Sequence, residues 1–351
     1  MKNKKIKNLI KGIVSIITFL AVFLLLNRIF MLKSEDGYTQ MQSYYKQNKN
    51  TVDVLFLGSS KIYCQIDTGI LWDEYGMSSF DLGGAEAPTW NSYYMLEEAL
   101  KTQKPKVILY DASVIGYRQE VLNQTDIWLM VNAYGLHMNK NRIGMLKDNA
   151  VNNDHLKRLL FPLDTMHSRY KELIKNDFVD PNNSINYKGF DYRNTVIPYE
   201  RPDVSTMTEA FVFDEKHEIY LKKMFNLAKE HDIPFVVMIT PYVVTPGEQG
   251  YFNYLETICK EEGITYLDLN KKYDEIGLDF STDMAENIHV NLSGSKKLTE
   301  YLGKYIVDNY ETADHRGDSR YSSWDVDADT NRRIREDEAN KALEYMQQLE
   351  Q

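Results

Sequence analysis

The sequence predicts an α/β protein built on a doubly wound parallel sheet in three layers. Three observations carry that expectation. Apolar runs with the length and content of buried strands occur at Val52–Leu57, Val107–Tyr110 and Pro234–Thr240. Stretches with apolar residues at helical spacing, such as Glu215–Glu230, lie between or beside them. Strands alternating with helices of about ten residues or more imply parallel βαβ units.

Taken in order, the chain opens with Lys2, Lys4, Lys5, Lys7 and Lys11, followed by an apolar run from Gly12 to Leu26 that resumes at Ile29, Phe30 and Met31. Counted from Leu9, the run approaches the ~20 residues that cross a bilayer. A secretory leader is the competing reading, but no small-residue cleavage site follows; Leu24-Leu25-Leu26-Asn27-Arg28-Ile29-Phe30 is bulky. The expectation is an uncleaved anchor over residues 1–31, single-pass in the plasma membrane. Its lysines hold the N-terminus in the cytoplasm and send the rest outside.

Residues 32–50, polar and tyrosine-containing, read as a short stalk or first helix. The main domain is expected over 51–310. Val52–Leu57 is its first strand and Ser79–Leu82 its second, followed by a helix at Asn91–Leu100 and the strand Val107–Tyr110. Downstream come the helix Glu215–Glu230, the strand Pro234–Thr240, a helix at Gln249–Glu262, a strand at Thr265–Leu269 and a closing helix at Ser293–Asn309. Between them, 114–210 is too long for a plain connection and reads as a helical insertion, or lid, over the site. From 311 to 351 the chain turns polar and acidic, an expected linker with a marginal final helix.

Composition narrows the function classes. With 43% hydrophobic and 26% charged residues in 351, the chain is of ordinary globular type. The first 31 residues hold six Lys and Arg and no acid, so a formal charge of −10 for the whole chain leaves −16 for the rest. That balance argues against nucleic acid as a partner. No phosphate-cradling loop or dinucleotide fingerprint occurs, and no cofactor is expected. Cys64 and Cys259 could pair outside the cell, but read more simply as small buried apolar residues. The histidines lack partners at metal-ligand spacing, so no metal is assigned.

Two stretches carry chemistry. In TVDVLFLGSSKIYCQ, from Thr51 to Gln65, a strand stops at Gly58-Ser59-Ser60, where doubly wound sheets place their sites. In DMAENIHVNLSGSKKLTEYL, from Asp283 to Leu302, His289 precedes the last helix with Glu286 three residues ahead and Asp283 six ahead. An acid so placed can orient the imidazole, and a serine hydroxyl is a poor nucleophile until a histidine takes its proton.

Gly58-Ser59-Ser60, Gly83-Gly84 after the second strand, and acid-x-x-His backed by Asn291 and Gly294 together resemble the SGNH/GDSL hydrolase superfamily over about Val52 to Tyr310. The layout is similar to its membrane-anchored bacterial members, the D-alanyl-lipoteichoic acid biosynthesis proteins and the acetyltransferases of cell-envelope polysaccharides. The resemblance implies Ser60 as nucleophile, His289 as general base and Glu286 (or Asp283) as its orienter. It implies oxyanion donors at the Ser60 amide and at Gly83 or Gly84. It further implies O-acyl transfer or ester hydrolysis on a cell-envelope polymer or acylated glycan, and transfer would call for a multi-pass membrane O-acyltransferase as partner. A plain carbohydrate esterase and a non-catalytic binding scaffold are the alternatives.

One departure counts against free hydrolysis. After Val107-Ile108-Leu109-Tyr110 comes Asp111-Ala112-Ser113, with no third-block asparagine; losing one oxyanion donor costs about 10²–10³ in rate. In the insertion, FPLDTMHSRYKELIKNDF resembles a segment of the anchored relatives, which makes His167 and Arg169 candidate substrate-binding residues; Arg169 suits an anionic group. Asp111, at the end of a buried strand, is a third candidate.

Overall fold

The architecture was obtained as a computed structural model that describes residues 2–116, 126–179 and 187–349. Five strands form one sheet: β1 (Val54–Gly58), β2 (Ser79–Gly83), β3 (Val107–Asp111), β4 (Phe235–Ile239) and β5 (Thr265–Asp268). They stand in the order β2-β1-β3-β4-β5, and each neighbouring pair is parallel. The expected doubly wound sheet is therefore present, with each expected strand within two residues of its observed bounds.

Strand residues alternate between two buried cores, as the pleat requires. Leu55, Leu57, Ile108, Tyr110, Val237 and Ile239 belong to one, and Val54, Phe56, Val107, Leu109, Val236 and Met238 to the other. Because helices cover both faces, the strands read as continuous apolar runs instead of alternating ones. On the first face lie α5 (Thr89–Ala99), α11 (Glu215–Glu230) and α12 (Pro246–Glu262). On the second lie α3 (Ser60–Gln65), α4 (Thr68–Tyr75), α13 (Tyr273–Ile276) and α14 (Leu292–Asn309).

Three parts differ from expectation. Of the two readings of 32–50, the first helix holds and the stalk does not: α2 (Tyr38–Tyr45) buries Met41 and Tyr44, and Tyr44 meets Phe80 of β2 edge-on at 5.0 Å. The tail is no loose linker either. In α15 (Ser322–Leu349), Trp324 is 1% exposed and its indole N–H donates to the Ser79 carbonyl at 3.1 Å. Arg335 pairs with Asp67, and Arg332 with Asp73 at 2.6 Å, bolting α15 to α4. Three apolar anchors (Tyr321, Trp324, Ala328) in a polar stretch were too sparse to register as a helical face.

The insertion, third, divides in two. Its helices α6 (Asp126–Gly135), α7 (Lys140–Asn149), α8 (Asn153–Leu160), α9 (Pro162–Met166) and α10 (Lys175–Phe178) pack on one another, on α2, on α5 and on the N-terminal helix α1 (Lys2–Phe30). An extended stretch, 187–201, instead runs past α3 and the His289 loop: Asp191 N–H donates to the Tyr63 carbonyl at 2.7 Å, and Ile197 N–H to that of Met284 at 2.9 Å. Residues 117–125 and 180–186 of the expected insertion, and the last two of the expected final helix, lie outside the described residues. Helix α1 is long and apolar enough over Lys4–Phe30 to cross a membrane, a property that anchors and signal sequences share.

Candidate active site

The site begins where β1 ends. Gly58 has φ near +157°, and a Cβ there would meet the Ile62 side chain at 2.9 Å and the Asp111 carbonyl oxygen at 3.1 Å. Glycine thus lets the strand turn tightly against β3. Ser59 caps the following helix, its hydroxyl accepting from the Lys61 amide. Ser60 is the first helical residue, so its own N–H has no partner within the helix and points out of the N-terminus with the positive end of the dipole.

The second half comes from the loop before α14. The amides of Ala285 and Glu286 both donate to the His289 carbonyl, at 3.0 and 3.3 Å. This tight turn brings a side chain and the one three residues later together. Asn291 fixes the exit by accepting from the Ser293 and Gly294 amides. From α3, the Gln65 side chain donates to the Ile288 carbonyl at 3.2 Å, tying the two halves.

As a result Ser60 Oγ lies 2.9 Å from His289 Nε2, and His289 Nδ1 lies 2.6 Å from Glu286 Oε1. A carboxylate only accepts, so Nδ1 carries the proton and Nε2 is left to accept from the serine hydroxyl. Burial lowers the basicity of His289, with Glu286 opposing and the positive charges of Lys61 and Arg193 adding to the fall. Its hydrogen bond from His289 holds Glu286 below the ordinary carboxylate range. The imidazole is therefore neutral, ready to take a proton, at neutral pH.

Other expected residues fall differently. Asp283 does not reach the imidazole. Its buried carboxylate accepts from Lys297 Nζ at 2.6 Å and the Asp279 amide at 2.7 Å, so Glu286 alone occupies the orienting position. Gly84 N–H is spent on the Gly58 carbonyl at 3.3 Å, while Gly83 sits so close that a Cβ would lie 2.6 Å from the Ser59 carbonyl oxygen. Asp111 is fully buried and accepts from the Thr240 amide (2.9 Å) and hydroxyl (3.0 Å) and from Ser113, so it faces no ligand. His167 is exposed and its ring bonds the Asp164 carbonyl. Arg169 is committed to Asp177 and, at 2.7 Å, to the Phe30 carbonyl at the end of α1. Neither His167 nor Arg169 is brought to Ser60.

Three residues beside the triad had no sequence signal. Arg193, in the extended stretch, pairs with Asp191 at 2.8 Å and acts electrostatically on both His289 and Glu286. Asp36 accepts from the Tyr63 hydroxyl at 3.1 Å. Lys61, fully buried over the Tyr242 ring, has its pKa lowered to about 7 by desolvation, against the pull of Asp111 and Glu248. Only the step from Ser60 to Lys61 was visible beforehand, and a lysine at that place reads as solvated. Cys64 and Cys259 are free and buried, and do not pair.

A cavity of about 910 Å³ is lined by Arg201, Ser205, Asn253, Asn270 and Tyr273, and contains no member of the triad. Among the described residues, Ser60 is half-buried and the Glu286 side chain is 45% exposed, so the outer end of the Ser60–His289–Glu286 chain meets solvent. Among the described residues no cluster of His, Cys, Asp and Glu could hold a metal.

Comparison by sequence found no matching protein-family model and no matching curated protein. Among solved structures, a candidate acylhydrolase from Bacteroides fragilis is similar over 76% of this chain and 93% of its own, at 10% identity and a TM-score of 0.39. A gut microbial diltiazem-metabolizing enzyme is similar over 74% of this chain, at 12% identity and a TM-score of 0.37. The match spans 47% of that enzyme's length.

Proposed function

We propose that the chain is a membrane-anchored serine acyl esterase or acyltransferase acting on O-acylated glycans or related cell-envelope polymers outside the cell. The observation that carries the reading is the continuous relay from Ser60 Oγ through His289 to Glu286. Ser60 attacks the ester carbonyl as its proton passes to His289 Nε2. The tetrahedral oxyanion forms beside the Ser60 N–H at the helix start. The alkoxide leaves with the proton from His289, giving acyl-Ser60. A second hydroxyl, from water or from an acceptor glycan, loses its proton to His289 and releases the acyl group. Glu286 holds the imidazole tautomer and stabilises the imidazolium formed in each half.

The anchor reading draws support from the end of α1. Asn27 and Met31 are buried there, and Asn27 Oδ1 accepts from the Leu163 amide at 3.0 Å, so the helix's last turns belong to the folded domain. A leader destined for removal has no need of such contacts. Polymer-scale substrates suit a triad whose outer end meets solvent.

The test is labelling of the full-length chain in detergent by a fluorophosphonate probe, with Ser60→Ala and His289→Ala alongside. Wild-type labelling that vanishes in Ser60→Ala and falls sharply in His289→Ala is expected. Labelling that survives Ser60→Ala, or none in the wild type, would leave a binding scaffold as the better account.

A further inference from the structure

Five large apolar side chains are exposed on one short stretch of the insertion: Phe161, Tyr170, Ile174, Phe178 and Val179. Ile174 is 61% and Phe178 55% exposed. Such side chains lose the hydrophobic gain of burial while they stand in water, and a concentration of them on one segment marks an interaction site. The stretch is also fixed in place. The Phe161 ring lies 5.4 Å from that of Phe23 in α1, the Leu163 amide donates to Asn27, and Arg169 donates to the Phe30 carbonyl. From the other side, Lys33 Nζ donates to the Asp177 carbonyl at 2.8 Å.

These contacts set a depth. Phe23 precedes the end of α1 by seven residues, about 10 Å of helix. Phe161 therefore stands beside the outward-facing apolar band of α1, which includes Leu20, Leu24 and Leu25. Exposed Lys171 and Lys175 flank Ile174 and Phe178. Apolar side chains at the boundary with lysines beside them are the pattern of a segment lying in a lipid interface. Continuity with the lipid-facing band of α1 favours lipid as the occupant over a second protein.

We propose that residues 161–179 form an interfacial collar that seats the domain on the bilayer leaflet it faces, with Phe161, Ile174, Phe178 and Val179 at the acyl–headgroup boundary and Lys171 and Lys175 toward the phosphates. The inference rests on reading α1 as a retained anchor. It gives Arg169 and its neighbours a role as the brace between anchor and collar.

The test uses the full-length chain in vesicles of phosphatidylethanolamine and phosphatidylglycerol, with an environment-sensitive fluorophore at single introduced cysteines. Burial raises the pKa of the native thiols Cys64 and Cys259, so labelling goes to the introduced site. Probes at Ile174→Cys and Phe178→Cys are expected to blue-shift and to be quenched by doxyl-labelled lipid. A probe at Val326→Cys, exposed on α15, is expected to stay aqueous. Leu20→Cys reports the anchor itself. Lipid contact at Leu20 with aqueous emission at Ile174 and Phe178 would overturn the collar and leave the anchor standing; aqueous emission at all three would overturn both. Shielding of Ile174 and Phe178 that appears in native membranes but not in lipid vesicles would assign the patch to a protein partner and overturn the lipid reading. Phe178→Asp serves as a second variant. It should weaken the quenching at Ile174→Cys without changing fluorophosphonate labelling of Ser60.

Discussion

Ser60 Oγ and His289 Nε2 meet at 2.9 Å although 229 positions separate them in the chain. Two ends of one sheet domain produce that meeting: the helix start after β1 and the loop before α14. The same loop closes on itself, so the imidazole's other nitrogen finds Glu286 without help from elsewhere.

The rate of Ser60 labelling should follow the neutral fraction of His289. Burial lowers the pKa of that group, so the acid limb of the pH–rate profile is expected below the ordinary histidine value of about 6.5. Removing the Glu286 charge takes away a stabiliser of the imidazolium. Glu286→Gln should thus move the limb to still lower pH and slow labelling by on the order of 10³-fold. A limb at or above 6.5 in the wild type would contradict the geometry.

Arg193 acts in the opposite sense, since its positive charge disfavours the imidazolium. Arg193→Ala is expected to shift the acid limb upward, and Arg193→Lys to restore most of the difference. A role confined to packing would change the maximum rate and leave the pH profile where it was.

Asp283→Asn separates the two acids. The substitution breaks a buried pair with Lys297, whose ammonium is partly solvated, and should cost about 2 kcal/mol in a denaturant titration. Labelling of the folded protein should persist, because Glu286 keeps the imidazole oriented. Loss of labelling at full stability would reassign the orienting role to Asp283.

Lys61 couples folding to pH. Its folded pKa, about 7, lies below the unfolded value near 10.5, so between those limits the unfolded chain binds more protons and stability rises with pH. Below pH 7 the cost of the buried charge is fully present. Lys61→Met should flatten that rise and, at pH 6, raise the melting temperature by several degrees, corresponding to about 2 kcal/mol. Thermal melts at pH 6 and pH 9 check both parts.

Much of this was legible beforehand, for reasons of pattern. Buried parallel strands are continuous apolar runs, so β1, β3 and β4 stand out, and the Gly-Ser-Ser break and the acid-x-x-His spacing mark the chemistry locally. What stayed hidden depends on contacts between distant positions. Nothing in the isolated sequence says that Trp324 lands on Ser79, that Arg193 reaches the triad, or that Arg169 turns to Phe30 instead of a ligand. Asp111 misled for a related reason. Its position at a strand end is where sites gather, yet Thr240 and Ser113 consume its carboxylate.

The tail's docking has a consequence for solubility. Among the described residues strand β2 has a sheet neighbour on one side only, and an open strand edge is a template for pairing with another chain. Here the Asp81 amide is taken by the Lys188 carbonyl at 2.7 Å and the Ser79 carbonyl by the Trp324 indole. Both partners are inserted from outside the sheet and neither extends it. A chain cut before Tyr321 keeps its triad but loses half of that cover, and copies of the shortened protein would gain a place to add to one another strand by strand. The C-terminal helix works, in that sense, as a guard against aggregation built into the sheet domain itself.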